Sequence, residues 1–248
     1  MKPTTAEFFK KWREKYRWPY NTSRTKSEKK IQKLQNDAQT ALITRNTERL
    51  AEVLVDIHKW KTKNRSGGST LYGETINTEL NWLNQILEQF PISSDISADK
   101  IIAILEQLDR DYAKMPVCSA QLSFLSNRQL PIVDRYVGQF MSQKFDRALF
   151  KSKDHDFHEI CQILGKVDFA IDKSTRNLAT QGSSNNRNRE LYARKMVPKL
   201  KQVANQLNAL RVTYNAIDGT NQAFTCVDVE MTLFASATHI RHRYCFSK

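Results

Sequence analysis

One carboxylate, Asp134, is the first candidate for chemistry because of the residues around it. It closes the run LPIVD at residues 130–134, which separates an apolar segment from a second segment with helical spacing. Proline fits the first turn of a helix better than its interior, so Pro131 predicts that a helix begins here. Unsatisfied amides and the helix dipole stabilise a carboxylate at such a position, which makes Asp134 a helix cap in the simplest interpretation. The alternative interpretation is a catalytic acid.

Motifs for several other chemistries are missing or incomplete. The sequence contains no glycine-rich phosphate loop, no GxSxG and no HExxH, so nothing supports nucleotide hydrolysis or triad-type acyl transfer. Two HxxHxxC triplets would each face one side of a helix and suit zinc, but neither has an obvious fourth ligand. We therefore predict no metal, no cofactor and reduced thiols. The triplets are His155, His158 and Cys161, and His239, His242 and Cys245.

Charge separates the ends of the chain from its middle. The formal net charge is +13, and residues 1–65 hold 17 Lys and Arg against 7 Asp and Glu. Residues 66–180 hold 12 against 15, and residues 181–248 hold 10 against 4. Two basic ends are typical of a polyanion binder, because neutralised phosphates release their counterions. A membrane surface would also need a strongly apolar helix face, so the predicted partner is double-stranded DNA and not a membrane. The sequence does not identify any protein partner.

Basic side chains near aromatic residues or helix ends are the candidates for contact with DNA. Trp60 lies among cations at the end of a predicted helix, where phosphate or base contact is one explanation. The helix dipole alone also favours cations in a last turn, so the alternative stays open. The predicted nucleic-acid-binding residues are Lys59, Trp60, Lys61, Lys63, Arg65, Lys114, Arg135, Arg187 and Arg189.

The N-terminal segment combines aromatic with basic residues. Phe8, Trp12 and Tyr16 recur every four residues in residues 5–20, which places them on one stripe of a helix predicted to end before Pro19. Packing on the protein body explains such a stripe, and a basic arm that stacks on bases is the alternative. We predict an arm at residues 1–33 and one helical domain at residues 34–248.

The composition indicates an all-α fold, a compact multi-helix domain with a basic, aromatic N-terminal helix. Seven glycines and six prolines are few for 248 residues, and helical spacing dominates the sequence. Asn46 and Ser97 are predicted to begin helices, residues 75–90 to form one helix, and residues 181–186 to form a mobile loop. Because neither a run of about 18 apolar residues nor an apolar leader is visible, we expect a cytoplasmic protein.

Three segments share residues with a known family. In residues 114–141 these are Met115, Pro116, Val117, Cys118, Ser119, Ala120, Leu122, Phe124, Pro131, Ile132, Asp134, Arg135, Tyr136 and Val137. The other two segments contribute Ile57, Trp60, Lys61 and Arg65, and Asp228, Met231, Leu233 and Phe234. Together they resemble the helix-hairpin-helix DNA glycosylase superfamily, in particular bacterial 8-oxoguanine DNA glycosylase-like proteins.

The resemblance implies an all-α fold whose hairpin grips the DNA backbone while a modified or damaged base is flipped out and excised. It also implies that Asp134 stabilises a cationic, oxocarbenium-like sugar or places the attacking nucleophile. Family members that form a Schiff base carry a lysine where this chain has Pro116, with Lys114 two residues away, and residues 111–116 replace the glycine-rich hairpin. One expectation is therefore a monofunctional DNA glycosylase that hydrolyses the bond, in DNA repair or antiphage defence. The other is a non-catalytic nucleic-acid-binding or adaptor protein with a degenerate glycosylase fold.

Overall fold

The computed structural model describes residues 1–18, 22–63, 68–92, 95–110, 113–143, 155–171, 178 and 182–245. For residues 68–69, 155–158, 182–183 and 239–245 it describes the backbone alone. These parts of the chain are mainly α-helical, which confirms the predicted all-α class. None of the helices in these parts is long and apolar enough to cross a bilayer.

Short links join the helices of the first half of the chain. These helices are α1 (Pro3–Glu14), α2 (Arg24–Ile43), α3 (Thr47–Thr62), α4 (Gly68–Asn77), α5 (Leu80–Glu88), α6 (Ala98–Leu108) and α7 (Met115–Leu125). The second half contains α8 (Arg135–Ser142), α9 (His155–Leu164), α10 (Gly182–Leu191), α11 (Val197–Ala209) and α12 (Cys226–Cys245). A π-helical turn (Tyr192–Met196) connects α10 to α11.

A small antiparallel hairpin precedes the last helix. Strands β1 (Thr213–Asn215) and β2 (Asn221–Ala223) pair so that Tyr214 lies opposite Gln222. Gly219 in the connection has a φ of 84°, a left-handed conformation that glycine adopts without strain. The hairpin was not expected from the sequence.

The chain divides into two compact units. The terminal unit combines residues 1–28 with residues 133–248, and the central unit comprises residues 29–132. Helix α1 therefore belongs to the same unit as the C-terminal helix. The predicted division into an arm at residues 1–33 and one domain at residues 34–248 stays a prediction.

Helix α7 forms the centre of the central unit. All of its residues except Pro116 are buried, and α3 and α6 pack against it. The amide of Gln121 donates to the Tyr72 hydroxyl at 2.7 Å and to the Leu54 carbonyl at 3.3 Å. Burial raises the pKa of Tyr72, so this phenol stays neutral at physiological pH and accepts the hydrogen bond.

Helix α12 forms the centre of the terminal unit. Residues 226–238 are all buried, and α1, α8 and α11 pack on this helix. The aromatic stripe of α1 is buried as well, with Phe9 at 0 % exposure beside Phe8, Trp12 and Tyr16. Packing on the protein body is thus the correct interpretation of that stripe, and base stacking by these rings is wrong.

Two helix starts that the sequence predicts from capping residues are confirmed. The Oδ1 atom of Asn46 accepts from the Arg49 amide at 2.8 Å at the start of α3. The Ser97 hydroxyl accepts from the Lys100 amide at 3.2 Å at the start of α6. Both residues are the expected N-caps. The single helix expected over residues 75–90 is wrong, because α4 ends at Asn77 and α5 begins at Leu80.

Two other expectations from local sequence are wrong. Residues 182–186 are not a loop but the first turns of α10, because buried Asn188 ties this polar helix to Ala170. Its side chain accepts from the Ala170 amide at 2.8 Å and donates to the Ala170 carbonyl at 3.1 Å. Pro131 does not lie in a first helical turn either, since α8 begins four residues later, where the Asp134 side chain binds the first amides.

Candidate nucleic-acid interface

Asp134 is the N-cap of helix α8. Its backbone is extended (φ −127°, ψ −174°), which lets the side chain turn back onto the first amides of the helix. Oδ1 accepts from the Tyr136 amide at 2.9 Å and from the Val137 amide at 3.0 Å, and the residue is 7 % exposed. The capping role expected from the sequence is confirmed. Catalysis by this carboxylate stays a prediction.

The two residues after Asp134 form a stacked, partly exposed pair. The Nη2 atom of Arg135 donates to the Tyr136 hydroxyl at 2.8 Å, and its guanidinium carbon lies 4.7 Å from the Tyr136 ring centroid. Both side chains are half-buried. A guanidinium held over a ring keeps its charge and its flat shape, so it can still meet an anion or stack on another planar group. Contact between Arg135 and nucleic acid stays a prediction.

Tyr136 also belongs to an aromatic cluster centred on Phe234 of α12. The ring centroids of Tyr136, Trp18 and Tyr16 lie 5.6, 5.3 and 5.7 Å from that of Phe234. Tyr136 and Trp18 are nearly perpendicular to Phe234, at interplanar angles of 89° and 84°, an arrangement that aromatic rings favour. We call these four residues the Phe234 cluster. Through Tyr136, this cluster holds the N-terminal end of α8, which Asp134 caps, against α12.

Trp60, at the end of α3, is a core residue of the central unit. It is 7 % exposed, and its ring packs edge to face against Phe124 of α7 at 5.3 Å. A ring enclosed in this way contributes buried apolar area, and its contact with nucleic acid stays a prediction. The packing of α3 on α7 therefore explains why a tryptophan stands among the lysines.

The lysines that flank Trp60 lie closer to solvent. Lys59 is exposed, with Nζ 3.9 Å from Oδ1 of Asp56. Lys61 and Lys63 are half-buried, and Lys63 ends α3 in a left-handed conformation with φ 56°. Arg65 lies outside the described residues. Contact with nucleic acid stays a prediction for all four cations.

Lys114 precedes α7 and pairs with an acid. Its Nζ atom lies 3.0 Å from Oδ1 of Asp109, and the two side chains are 43 % and 9 % exposed. Pro116, which stands at the apparent Schiff-base position, is the second residue of α7 and carries no amine. Lys114 thus supplies a partly neutralised cation, and its contact with nucleic acid stays a prediction.

The two predicted arginines of α10 differ in exposure. The side chain of Arg187 is 59 % exposed and lies 3.6 Å from Oδ2 of Asp168. Arg189 is only 8 % exposed, and its Nη1 atom donates to Oδ1 of Asn186 at 3.0 Å. Of the two, Arg187 has the geometry for an external anion, because its charge remains in contact with solvent.

Cations beyond Arg187 continue along the same helical segment. Residues 182–209 hold six Lys and Arg against one acid, Glu190. The inner side of the segment is buried through Tyr192, Met196, Leu200, Val203 and Leu207. We use the name cationic rod for its exposed and half-buried cations, which are Arg187, Arg194, Lys195, Lys199 and Lys201. The sequence-based set included only the first of them, although apolar residues at a spacing of three and four indicate which side faces outward.

A buried ion pair that the sequence did not reveal lies in the terminal unit. Arg13 donates through Nε to Oδ1 of Asp228 at 2.7 Å and through Nη1 to Oε1 of Glu28 at 2.6 Å. The Tyr214 hydroxyl donates to the same Asp228 oxygen at 2.9 Å, and the Thr225 hydroxyl donates to Oδ2 at 2.6 Å. Burial raises the pKa of Asp228, but Arg13 and the Thr225 donors outweigh it and hold that pKa below its usual value. Asp228 therefore joins α1, β1 and α12.

The structure describes one side chain of the two HxxHxxC triplets. This is Cys161, whose thiol is buried, and burial raises its pKa to about 11. The remaining side chains of the triplets, His155, His158, His239, His242 and Cys245, lie outside the described part. Among the side chains that are described, no three or more His, Cys, Asp or Glu residues form a group able to hold a metal ion.

Comparison with models of protein families, with curated proteins and with solved structures finds no match to this chain. Its function must therefore be inferred from its own residues.

Proposed function

We propose that this protein binds DNA through the cationic rod and excises a modified or damaged base with the help of Asp134. The observation that carries the proposal is the one-sided charge of the rod: residues 182–209 hold six cations and one acid, five of the six cations are exposed or half-buried, and the apolar side faces the core. Cations on the outer face of a rigid helix suit phosphates, because each contact releases counterions from DNA. The proposal places the protein in the cytoplasm, in DNA repair or antiphage defence.

The excision step is a hydrolysis. The N-glycosidic bond breaks, the base leaves with a proton, and the oxygen of a water molecule bonds to the sugar carbon. Positive charge develops on the sugar, which a nearby carboxylate stabilises electrostatically. In support, Asp134 belongs to the same unit as the rod and immediately precedes Arg135, a half-buried cation. Asp134 either stabilises the sugar or places the water.

Binding without catalysis is the second candidate function. It is favoured by the two capping hydrogen bonds of Asp134, at 2.9 and 3.0 Å, because they give this carboxylate a structural role that needs no chemistry. Pro116 removes the lysine chemistry of the family that the sequence resembles. In this case the protein is a nucleic-acid-binding or adaptor protein with a degenerate glycosylase fold.

One experiment distinguishes the two candidates. Duplex DNAs that each carry a different modified base are incubated with the protein and scored for abasic sites. Asp134→Asn is the critical variant, because asparagine caps a helix as well as aspartate does but carries no charge. Loss of one preorganised electrostatic contact is expected to lower the excision rate about 100-fold or more. Asp99→Asn, which alters an exposed acid in the first turn of α6, serves as the control.

Each outcome assigns a function. Excision by the wild type and by Asp99→Asn, with loss in Asp134→Asn, supports the glycosylase. Equal excision by wild type and Asp134→Asn removes Asp134 from the mechanism. If no modified base is released by the wild type while the same DNAs are bound, the second candidate is correct.

A further inference from the structure

The Phe234 cluster brings planar groups to the surface of the terminal unit. Phe234 is 3 % exposed and Tyr16 is 5 % exposed, whereas Trp18 and Tyr136 are half-buried. Both half-buried rings contact the same inner ring, at centroid distances of 5.3 and 5.6 Å. Trp18 and Tyr136 therefore each keep part of their surface in contact with solvent.

Positive charge lies against one of the half-buried rings and next to the other in the chain. The Arg135 guanidinium lies 4.7 Å from the Tyr136 ring centroid and donates to its hydroxyl. Arg17, the neighbour of Trp18 in the chain, is exposed. Flat apolar faces beside cations match a ligand that is both aromatic and anionic, and a base on its phosphate backbone has this chemistry.

We propose that Trp18 and the stacked Arg135–Tyr136 pair bind an unpaired base of DNA, and that Phe234 fixes their relative positions. This inference rests on the proposed DNA binding. A base inside a duplex already stacks on its neighbours, so the occupant is an extruded or unpaired base. Aromatic rings and guanidinium planes both accept stacked bases, and neither requires a particular base.

The Arg135–Tyr136 pair also lies next to Asp134, the residue proposed for excision. Asp134 precedes Arg135 in the chain and accepts a hydrogen bond from the Tyr136 amide at 2.9 Å. A base stacked on the Arg135–Tyr136 pair therefore lies near the carboxylate proposed for excision. The stacking groups would hold the extruded nucleotide, while the cationic rod contacts phosphates.

The test uses two duplexes of the same sequence, in which one 2-aminopurine is either paired or bulged out. Affinity is measured by fluorescence anisotropy, and stacking by quenching of 2-aminopurine emission. The wild type is expected to bind the bulged duplex more tightly and to quench its emission. Trp18→Leu keeps an apolar contact with Phe234 but removes the aromatic face, so this preference should fall about tenfold. Trp18→Phe restores a ring and should retain most of it.

The results separate failure of this inference from failure of DNA binding. Equal affinity of the wild type for both duplexes overturns base stacking and leaves DNA binding intact. Equal weakening on both duplexes by Trp18→Leu shows a structural role and also overturns the inference. Absence of binding to either duplex overturns both proposals. If Trp18→Leu does not fold, Tyr136→Leu replaces it, with the same expected loss of preference.

Discussion

Removal of the Asp228 carboxylate is expected to destabilise the terminal unit strongly. In Asp228→Ala, Arg13 keeps Glu28 as a partner but loses the carboxylate 2.7 Å from its Nε atom. Arg13 and Asp228 are 5 % and 6 % exposed, so water cannot replace the lost interaction. Breaking a buried pair from one side costs about 3–5 kcal/mol, and we expect a loss of that size in the free energy of unfolding.

Urea unfolding, monitored by circular dichroism, measures this loss in the free energy of unfolding. The chain offers a matched control, Asp37, which likewise contacts two cations: its Oδ2 atom lies 2.5 Å from Nζ of Lys33, and its Oδ1 atom lies 3.5 Å from Nη2 of Arg49. The side chains of Lys33, Arg49 and Asp37 are 62 %, 46 % and 23 % exposed, so the same type of contact is solvated there. Asp37→Ala should leave the unfolding midpoint unchanged within error. The contrast tests whether burial, and not distance, determines the strength of an ion pair.

A double variant sharpens the test. Arg13→Met with Asp228→Leu removes both charges of the buried pair and leaves only the carboxylate of Glu28, whose side chain is 16 % exposed, so part of the lost stability should return. The reasoning would be refuted if Asp228→Ala lost no more stability than Asp37→Ala. It would also fail if the double variant were less stable than Asp228→Ala.

Three further perturbations test other parts of the structure. The pKa of Asp228 is lower in the folded state than in the unfolded state, where it is about 4. The ionised carboxylate therefore stabilises the fold above about pH 4, and this contribution is lost as the pH falls through the lower folded value. The difference in free energy of unfolding between wild type and Asp228→Ala should shrink below about pH 4 in urea titrations. Asp134→Ala should lower the free energy of unfolding by about 1 kcal/mol, while Asp134→Asn should not, and equal losses in both would argue against capping. Gly138→Ala places a Cβ 2.8 Å from Cδ2 of Leu178 and should lower the melting temperature, and Leu178→Ala in the same chain should relieve that added clash.

Local chemistry explains which parts of the fold the sequence predicted. Asn46, Ser97 and Asp134 each accept a hydrogen bond from an amide two or three residues ahead. Each of these helix starts is therefore determined by residues that are neighbours in the sequence. The class of the fold follows from helical spacing in the same way. Trp60 marks the limit of such reasoning, because a tryptophan among lysines suits both a core and a base until Phe124 is seen against it.

Interactions between distant residues explain what the sequence did not predict. Arg13 and Asp228 are separated by 215 positions, and each alone resembles an ordinary surface charge. Asn188 lies in a polar run that is typical of a loop, and its bonds to Ala170 make the run helical. Tertiary contacts of this kind override local propensity, and the periodicity of a single segment does not predict them.

The salt dependence of DNA binding tests the central claim, that the cationic rod contacts phosphates, most directly. Affinity for an unmodified duplex is measured from low to physiological salt for the wild type and for Lys195→Gln with Lys199→Gln. The affinity of the wild type should fall steeply with salt, and the double variant should reduce the slope by about two phosphate contacts. An affinity that is independent of salt, or an unchanged slope in the double variant, would contradict the claim.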